Sequence, residues 1–163
     1  MSERIEKMLR EYPSKKRYLK CLENQLRNFY GISDTEMIDA MCFYQPEGEQ
    51  VQTSRVANKT ASIALSYREK MEEINRDWYR HLGKQYEALS EEIRLFESAL
   101  DSLSGRLPDI MRDMVVNDYT WDYICNHYHI SRTTLGKYRR KAIQELEVLY
   151  EKQDVEMIDY LLS

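Results

Sequence analysis

The stretch from Asn58 to Ser104 contains no proline and only one glycine, Gly83, and this run without helix breakers constrains the fold most. Within it, apolar residues recur with alternating spacings of three and four, and Gln85 interrupts the pattern once. The apolar positions are Met71, Trp78, Leu82, Leu89, Ile93, Phe96, Leu100 and Leu103. This heptad-like pattern predicts one long, coiled-coil-like helix of roughly 65 Å, at 1.5 Å per residue. Such a helix must cover its apolar stripe with the N-terminal helices, with a second copy of itself or with both, and a homodimer is expected.

The remaining composition also favours helices. The chain of 163 residues has five glycines and three prolines, so we predict an all-α fold. Charged residues make up 32%, and no stretch reaches the ~18 consecutive apolar residues of a membrane span, so no membrane partner is expected. The polar N-terminus lacks the apolar core of a signal peptide, which predicts a cytoplasmic protein.

Breakers in the first half of the chain divide it into shorter predicted elements. A helix with apolar residues at helical spacing is predicted to end at Pro13, and Ser14 is predicted to cap a second helix that ends at Gly31. Ser33 to Cys42 is a short helical candidate, Gln45 to Glu49 is the clearest loop, and Gln50 to Thr60 stays ambiguous. Ser104 and Gly105 supply a stop after the long helix. We therefore predict a helical or coiled-coil region at 1–104, a second domain at 105–153 and a C-terminal tail at 154–163.

Three short helices are predicted from Pro108 onward. The first contains Ile110, Met111, Met114 and Val115, and it ends at Asn117-Asp118-Tyr119. Thr120 can cap the second, whose inward residues are Trp121, Ile124 and Cys125. His127 to Ile130 form the predicted turn, and Ser131 caps a third helix with the apolar stripe Leu135, Tyr138, Ala142, Ile143 and Leu146. Three helices with a tight turn before the last one are typical of a tri-helical helix-turn-helix.

Positive charge is concentrated on the third of these helices, although the formal net charge of the chain is −4. Between Ser131 and Lys141 there is no acid, and the five basic residues are Arg132, Lys137, Arg139, Arg140 and Lys141. After Ala142 the sign reverses, with six acids and only Lys152. Such segregation is what neutralisation of DNA phosphates requires, and the helix N-terminus adds a partial positive charge. A merely solvated basic face is the alternative.

The same segment carries a family resemblance. It reads Ile130-Ser-Arg-Thr-Thr-Leu-Gly-Lys-Tyr-Arg-Arg-Lys-Ala-Ile-Gln-Glu-Leu146 and resembles the recognition helix in the C-terminal region of bacterial sigma factors. That region has Ile-Ser, a polar triplet, an aliphatic residue and a basic stretch ending Lys-Ala-Leu-x-x-Leu. Thr120 to Cys125 resembles the scaffold helix of the same region, and Leu107-Pro108 its start. The similarity covers about fifty residues, too few for a complete sigma factor.

The layout of the whole chain is similar to that of a narrower group. Phage late transcriptional regulators of the ArpU/RinA type place a long helical region before a sigma-like helix-turn-helix. Val51 to Leu65 resembles the entry into their long helix. This resemblance implies a phage or prophage regulator in a bacterial host cell.

The resemblance to sigma factors implies contacts with double-stranded DNA at particular residues. Base edges would be read by Arg132, Thr133, Thr134, Gly136 and Lys137, where Gly136 replaces a commonly long side chain. Phosphates would be held by Ser131, Arg139, Arg140 and Lys141. Tyr119 and Tyr138 lie near this predicted face. Because sigma domains of this kind also meet the polymerase, the resemblance implies RNA polymerase as a further partner.

The sequence gives less support to a metal site or a catalytic site. Cys125, His127 and His129 have spacing compatible with zinc, but no fourth ligand is evident, so no metal site is predicted. The acids from Glu69 to Glu97 have no nucleophile or glycine-rich phosphate loop beside them, and they are interpreted as solvated helix flanks. We therefore predict no enzyme activity and no cofactor.

The sequence thus favours a sequence-specific transcriptional regulator that binds DNA through the helix after Ser131 and helps to recruit RNA polymerase. One alternative is an interaction protein that binds polymerase or another partner and has a degenerate helix-turn-helix. Another is a DNA-packaging subunit like a small terminase, although these usually carry the helix-turn-helix at the N-terminus. A large ring would favour packaging, whereas a monomer or dimer would favour regulation.

Overall fold

A computed structural model describes residues 2–31, 33 and 56–163, and of residues 56–66 it describes the backbone only. In these ranges the chain forms α-helices and no strand, which confirms the all-α prediction there. The helices are α1 (Ser2–Arg27), α2 (Val56–Asp101), α3 (Leu107–Met111), α4 (Trp121–Tyr128) and α5 (Arg132–Leu162). A turn of π-helix, Arg112–Val116, follows α3 directly. No helix of the described ranges is long and apolar enough to cross a membrane.

Some sequence predictions fall on residues that the structure does not describe. The predicted loop from Gln45 to Glu49 lies outside the described residues, and so does the predicted short helix apart from Ser33. The ambiguous segment from Gln50 to Thr60 is described only from Val56, where it already belongs to α2.

Helix α1 runs through Pro13, so the predicted helix end at this proline is wrong. A proline inside a helix removes one backbone hydrogen bond and costs about 3 kcal/mol. Packing on both sides of it offsets this cost: Tyr12 is buried, and Lys16 lies 2.7 Å from Glu97 of α2. Ser14 consequently lies inside α1 and caps nothing.

The predicted long helix is confirmed as α2, which is 46 residues long. Most of its predicted stripe is buried, with Leu89 partly covered and Gln85 exposed. Trp78 is an exception, because 45% of it is exposed. Its neighbour Tyr79 packs against Phe29 instead, with the two ring centres 5.1 Å apart. Trp78 takes no part in that contact.

Two compact units make up the chain, one formed by residues 1–20 and 88–163 and the other by residues 21–87. In the first unit, the start of α1 and the end of α2 share one apolar core with α3 and α5. Its buried members include Ile5, Leu9, Ile93, Phe96, Leu100, Met111, Ala142, Ile143 and Leu146. The α2 stripe of this unit is therefore covered by the chain's own α1, so a second copy is not needed there. The boundary predicted after Ser104 lies inside this unit.

Polar contacts around this core join the same elements. Tyr12 and Lys16 of α1 both donate hydrogen bonds to Glu97. Burial raises the pKa of Glu97, but these two hydrogen bonds outweigh it and lower the pKa below its usual value. Arg4 binds Asp154 of α5 at 2.5 Å, so the contact between α1 and α5 reaches the residues predicted as a tail. Those residues continue α5 as far as Leu162.

Candidate nucleic-acid interface

The connection between α4 and α5 is a tight turn whose geometry follows from local capping. Thr120 begins α4 because its hydroxyl accepts a hydrogen bond from the Tyr123 amide at 3.2 Å. His129 ends α4 in the left-handed conformation, with φ 54°, and the Ile130 amide bonds to the Cys125 carbonyl at 3.0 Å. His127, which was predicted in the turn, belongs to α4, so only three residues separate the helices.

Ser131 begins α5 as the sequence predicts. Its hydroxyl accepts a hydrogen bond from the Thr134 amide at 3.2 Å and lies 2.9 Å from the Thr134 hydroxyl. Thr134 is thus engaged in the cap and is only partly exposed. The remaining amides of the first turn have no partner within the helix, which is the usual environment for an anion such as phosphate.

A small apolar core fixes the positions of α3, α4 and α5. Ile110, Ile124 and Leu135 are fully buried in it, and Tyr138 packs against it half-buried. Trp121, predicted to face inward, is 36% exposed, so that prediction is wrong. It stands in the first turn of an eight-residue helix, and one residue from each helix already fills the core.

A hydrogen bond joins α4 to the π-helical turn. The Tyr128 hydroxyl donates to Asp113 at 2.6 Å, and burial together with this bond raises the pKa of Tyr128 to about 12. Arg106 lies over the Tyr128 ring, 5.6 Å from its centre. Asp113 lies in the π-helical turn. This turn is wider than an α-helical one, because the Asn117 amide bonds to the carbonyl of Arg112, five residues back.

The outward side of α5 carries a row of basic residues. Thr133, Lys137, Arg140 and Lys141 are exposed, and their spacing places them on one side of a helix with 3.6 residues per turn. Leu135, on the opposite side, is fully buried. We call Thr133, Lys137, Arg140 and Lys141 the basic face. Four of the sequence-predicted DNA contacts therefore lie together on solvent-exposed surface.

The other two predicted arginines point elsewhere. Arg139 is 31% exposed at its side chain and lies 3.8 Å from Glu6 of α1. Arg132 is highly exposed, and its guanidinium lies 3.0 Å from Asp122 of α4. An exposed pair of this kind contributes at most about 1 kcal/mol, so Arg132 can exchange Asp122 for another anion at small cost. Arg139 exposes less than half as much of its side chain as Arg132, so it offers less surface to a phosphate.

Gly136 lies next to the basic face with open space around it. Apart from its chain neighbours and the backbone of its own helix, a Cβ built on this glycine has no described atom within 4 Å, and the backbone φ of Gly136 is not positive. Neither the turn geometry nor packing inside the protein therefore requires a glycine here. Its carbonyl accepts a hydrogen bond from Arg140 at 3.3 Å.

Sequence reasoning missed an aromatic row formed by α4 and Tyr119, which lies two residues before that helix. Tyr119, Tyr123 and His127 are exposed, with ring centres 4.6 Å apart for the first pair and 5.8 Å for the second. Their spacing of four was a visible signal for a shared helix face. Tyr119, singled out as near the DNA face, is thus engaged with Tyr123.

No group of three or more His, Cys, Asp or Glu that could hold a metal ion occurs in the described part of the chain. Comparisons with protein-family models, with curated proteins and with solved structures give no match to this chain. The geometry and charge of the basic face are therefore the basis for inferring its function.

Proposed function

We propose that the protein is a sequence-specific DNA-binding regulator of transcription that uses α5 as the recognition helix of a helix-turn-helix. The single observation that carries the proposal is the basic face, in which three cations and a threonine, without an acid, line the exposed side of a capped helix behind a three-residue turn. Such a helix fits the major groove, which is about 12 Å wide.

Roles along α5 follow from which side each residue occupies. Thr133 and Lys137 are placed to read base edges, with Arg132 after it exchanges Asp122. Ser131 at the first turn, and Arg140 and Lys141 further along, would hold phosphates. We give Arg139 no major part, because it faces α1.

The resemblance to sigma factors and to phage late regulators supports two finer proposals. RNA polymerase is the proposed second partner, and a phage or prophage in a bacterial cell is the proposed source. Purified polymerase captured on the wild-type protein would support recruitment, and capture without any DNA binding would favour the interaction-protein alternative.

Selection from a library of random DNA duplexes tests the DNA-binding proposal. We expect one sequence to be enriched by the wild-type protein and bound with submicromolar affinity at low salt. Lys137→Ala should weaken binding to that duplex roughly 5- to 150-fold, the equivalent of about 1–3 kcal/mol for a base contact. Its effect on an unrelated duplex should be much smaller. Absence of enrichment together with absence of binding at low salt would refute the proposal.

A further inference from the structure

The second half of α5 exposes apolar side chains on the same side of the helix as the basic face. Val148, Val155, Ile158 and Leu162 are between 53% and 82% exposed in the described structure. Val148, Val155 and Leu162 are spaced by seven residues, so they form one stripe. We call these four residues the apolar face. Exposed apolar side chains that share one side of a helix are candidates for contact with a partner.

Charge along the outward side of α5 indicates what covers the apolar face. Lys141 is basic, Glu151 and Lys152 adjoin in the middle, and Asp159 lies near the end. If a second copy packed in parallel, Glu151 and Asp159 would each meet their own counterparts, and like charges facing each other are destabilising. In an antiparallel arrangement, the first half of this segment in one copy faces the second half in the other copy.

One antiparallel register gives complementary pairs at the centre of the outward side of α5, although it sets Ile158 of one copy opposite Glu145 of the other. With Val148 opposite Val155 of the second copy, Glu151 comes opposite Lys152, and Gln144 comes opposite Asp159. Twofold symmetry repeats each pair, which gives two apolar contacts and two ion pairs at the centre. Leu162 of the second copy then comes opposite Lys141.

A groove beside α5 adjoins the place where the end of the second copy would lie. It has a volume of about 470 Å³, and Ser104, Lys141, Val148 and Leu149 are among its lining residues. Glu145 is held away from a partner there, because the Ser104 amide donates a hydrogen bond to it at 3.0 Å. Lys141 is thus available as a cation for Asp159 of the second copy, which comes opposite Gln144, one turn further along α5.

We propose that two copies of this chain associate through the outward side of α5, antiparallel, with Val148 of each against Val155 of the other. The overlap from Lys141 to Leu162 spans about 33 Å, and at a helix diameter of roughly 10–12 Å it covers on the order of 400 Å² per copy. That area is below the size of standard stable interfaces, so the dimer is expected to be weak and transient. One consequence rests on the proposed function: the dimer covers Lys141 and therefore competes with DNA.

Sedimentation velocity of the full chain without DNA tests the association. We expect a monomer–dimer equilibrium for the wild type at protein concentrations up to about 100 μM, and Val155→Glu should weaken the dimer at least about tenfold. Met157→Glu is the matched control, since Met157 is similarly exposed but two residues further along and hence on another side of α5. A wild type that stays monomeric up to about 100 μM would overturn the proposal. Equal effects of the two substitutions would overturn it as well.

Charge reversal at the centre tests the orientation. Glu151→Lys should weaken an antiparallel dimer because the introduced lysine comes opposite Lys152 of the second copy, although the change makes the chain less acidic. The double variant Glu151→Lys, Lys152→Glu should restore it. A dimer that is strengthened by Glu151→Lys would refute the antiparallel register.

Competition with DNA is a separate measurement on the selected duplex. Val155→Glu should bind it more tightly than the wild type at protein concentrations where the wild type is dimeric. If both proteins bind equally at these concentrations, competition is refuted while the dimer result stands. If neither protein binds DNA, the proposed function fails, and the sedimentation data still decide the association.

Discussion

A substitution at Ile5 of α1 tests whether the start of α1 shares an apolar core with α5. Ile5 is 1% exposed and lies in the apolar core that also contains Ala142, Ile143 and Leu146. Ile5→Ala removes three carbons from this core. Large-to-small changes of this kind cost about 2–5 kcal/mol, and we expect roughly 3 kcal/mol because the start of a helix can partly relax.

The assay is thermal and urea unfolding followed by far-ultraviolet circular dichroism, which reports helix content. In a chain of this size a loss of about 3 kcal/mol corresponds to a melting temperature lower by roughly 6–12 °C. Tyr18→Ala on the same helix is the control, since Tyr18 is 51% exposed. This control should cost less than about 1 kcal/mol. A similar small cost for Ile5→Ala would refute a shared core. A fragment of residues 105–153 that folds cooperatively by itself would also refute it.

Three further outcomes follow from single side chains. Gly136→Ala should raise the free energy of unfolding by about 1 kcal/mol, because alanine favours a helix more than glycine does and the new Cβ meets no described atom beyond its own helix, and a lower melting temperature would contradict this. The pKa of Glu97 is lowered, because burial raises it less than the hydrogen bonds, including that from Lys16, lower it. Its contribution to stability should therefore be present above its ordinary pKa of 4.5 and fade as the pH falls below that value, and Glu97→Gln should flatten the acid side of a stability-versus-pH curve. The pKa of Tyr128 is raised from 10.0 to about 12 by burial and by Asp113, so its contribution should be present below pH 10 and be lost between these values, and Tyr128→Phe should remove that alkaline loss.

Features that depend on neighbouring residues were predictable from the sequence. Thr120 and Ser131 begin α4 and α5 as predicted, because a hydroxyl that accepts an amide two or three residues ahead is a local interaction. Leu135 and Leu146 are buried as predicted, since helical spacing alone defines the inward side. The exposed positions of Lys137 and Arg140 follow from the same periodicity.

Features that depend on distant segments were not predictable in this way. Pro13 was interpreted as a helix end because the sequence does not show that α2 packs beside α1 on both sides of it. Arg139 differs from Arg140 in its partner, Glu6, which is more than a hundred residues away in sequence. Trp78 fits the heptad pattern of α2, yet its neighbour Tyr79 makes the contact with Phe29.

The salt dependence of DNA binding by two neighbouring arginine variants tests the central claim most directly. Arg139 and Arg140 carry the same charge, but only Arg140 belongs to the basic face. On the selected duplex, Arg140→Ala should weaken binding and reduce the slope of log affinity against log salt concentration by about 1, the share of one phosphate contact. Arg139→Ala should leave that slope within about 0.3 of the wild-type value, because its guanidinium faces α1 and the proposal assigns it no phosphate. Equal slopes for all three proteins, or a larger change for Arg139→Ala, would contradict DNA binding through the basic face.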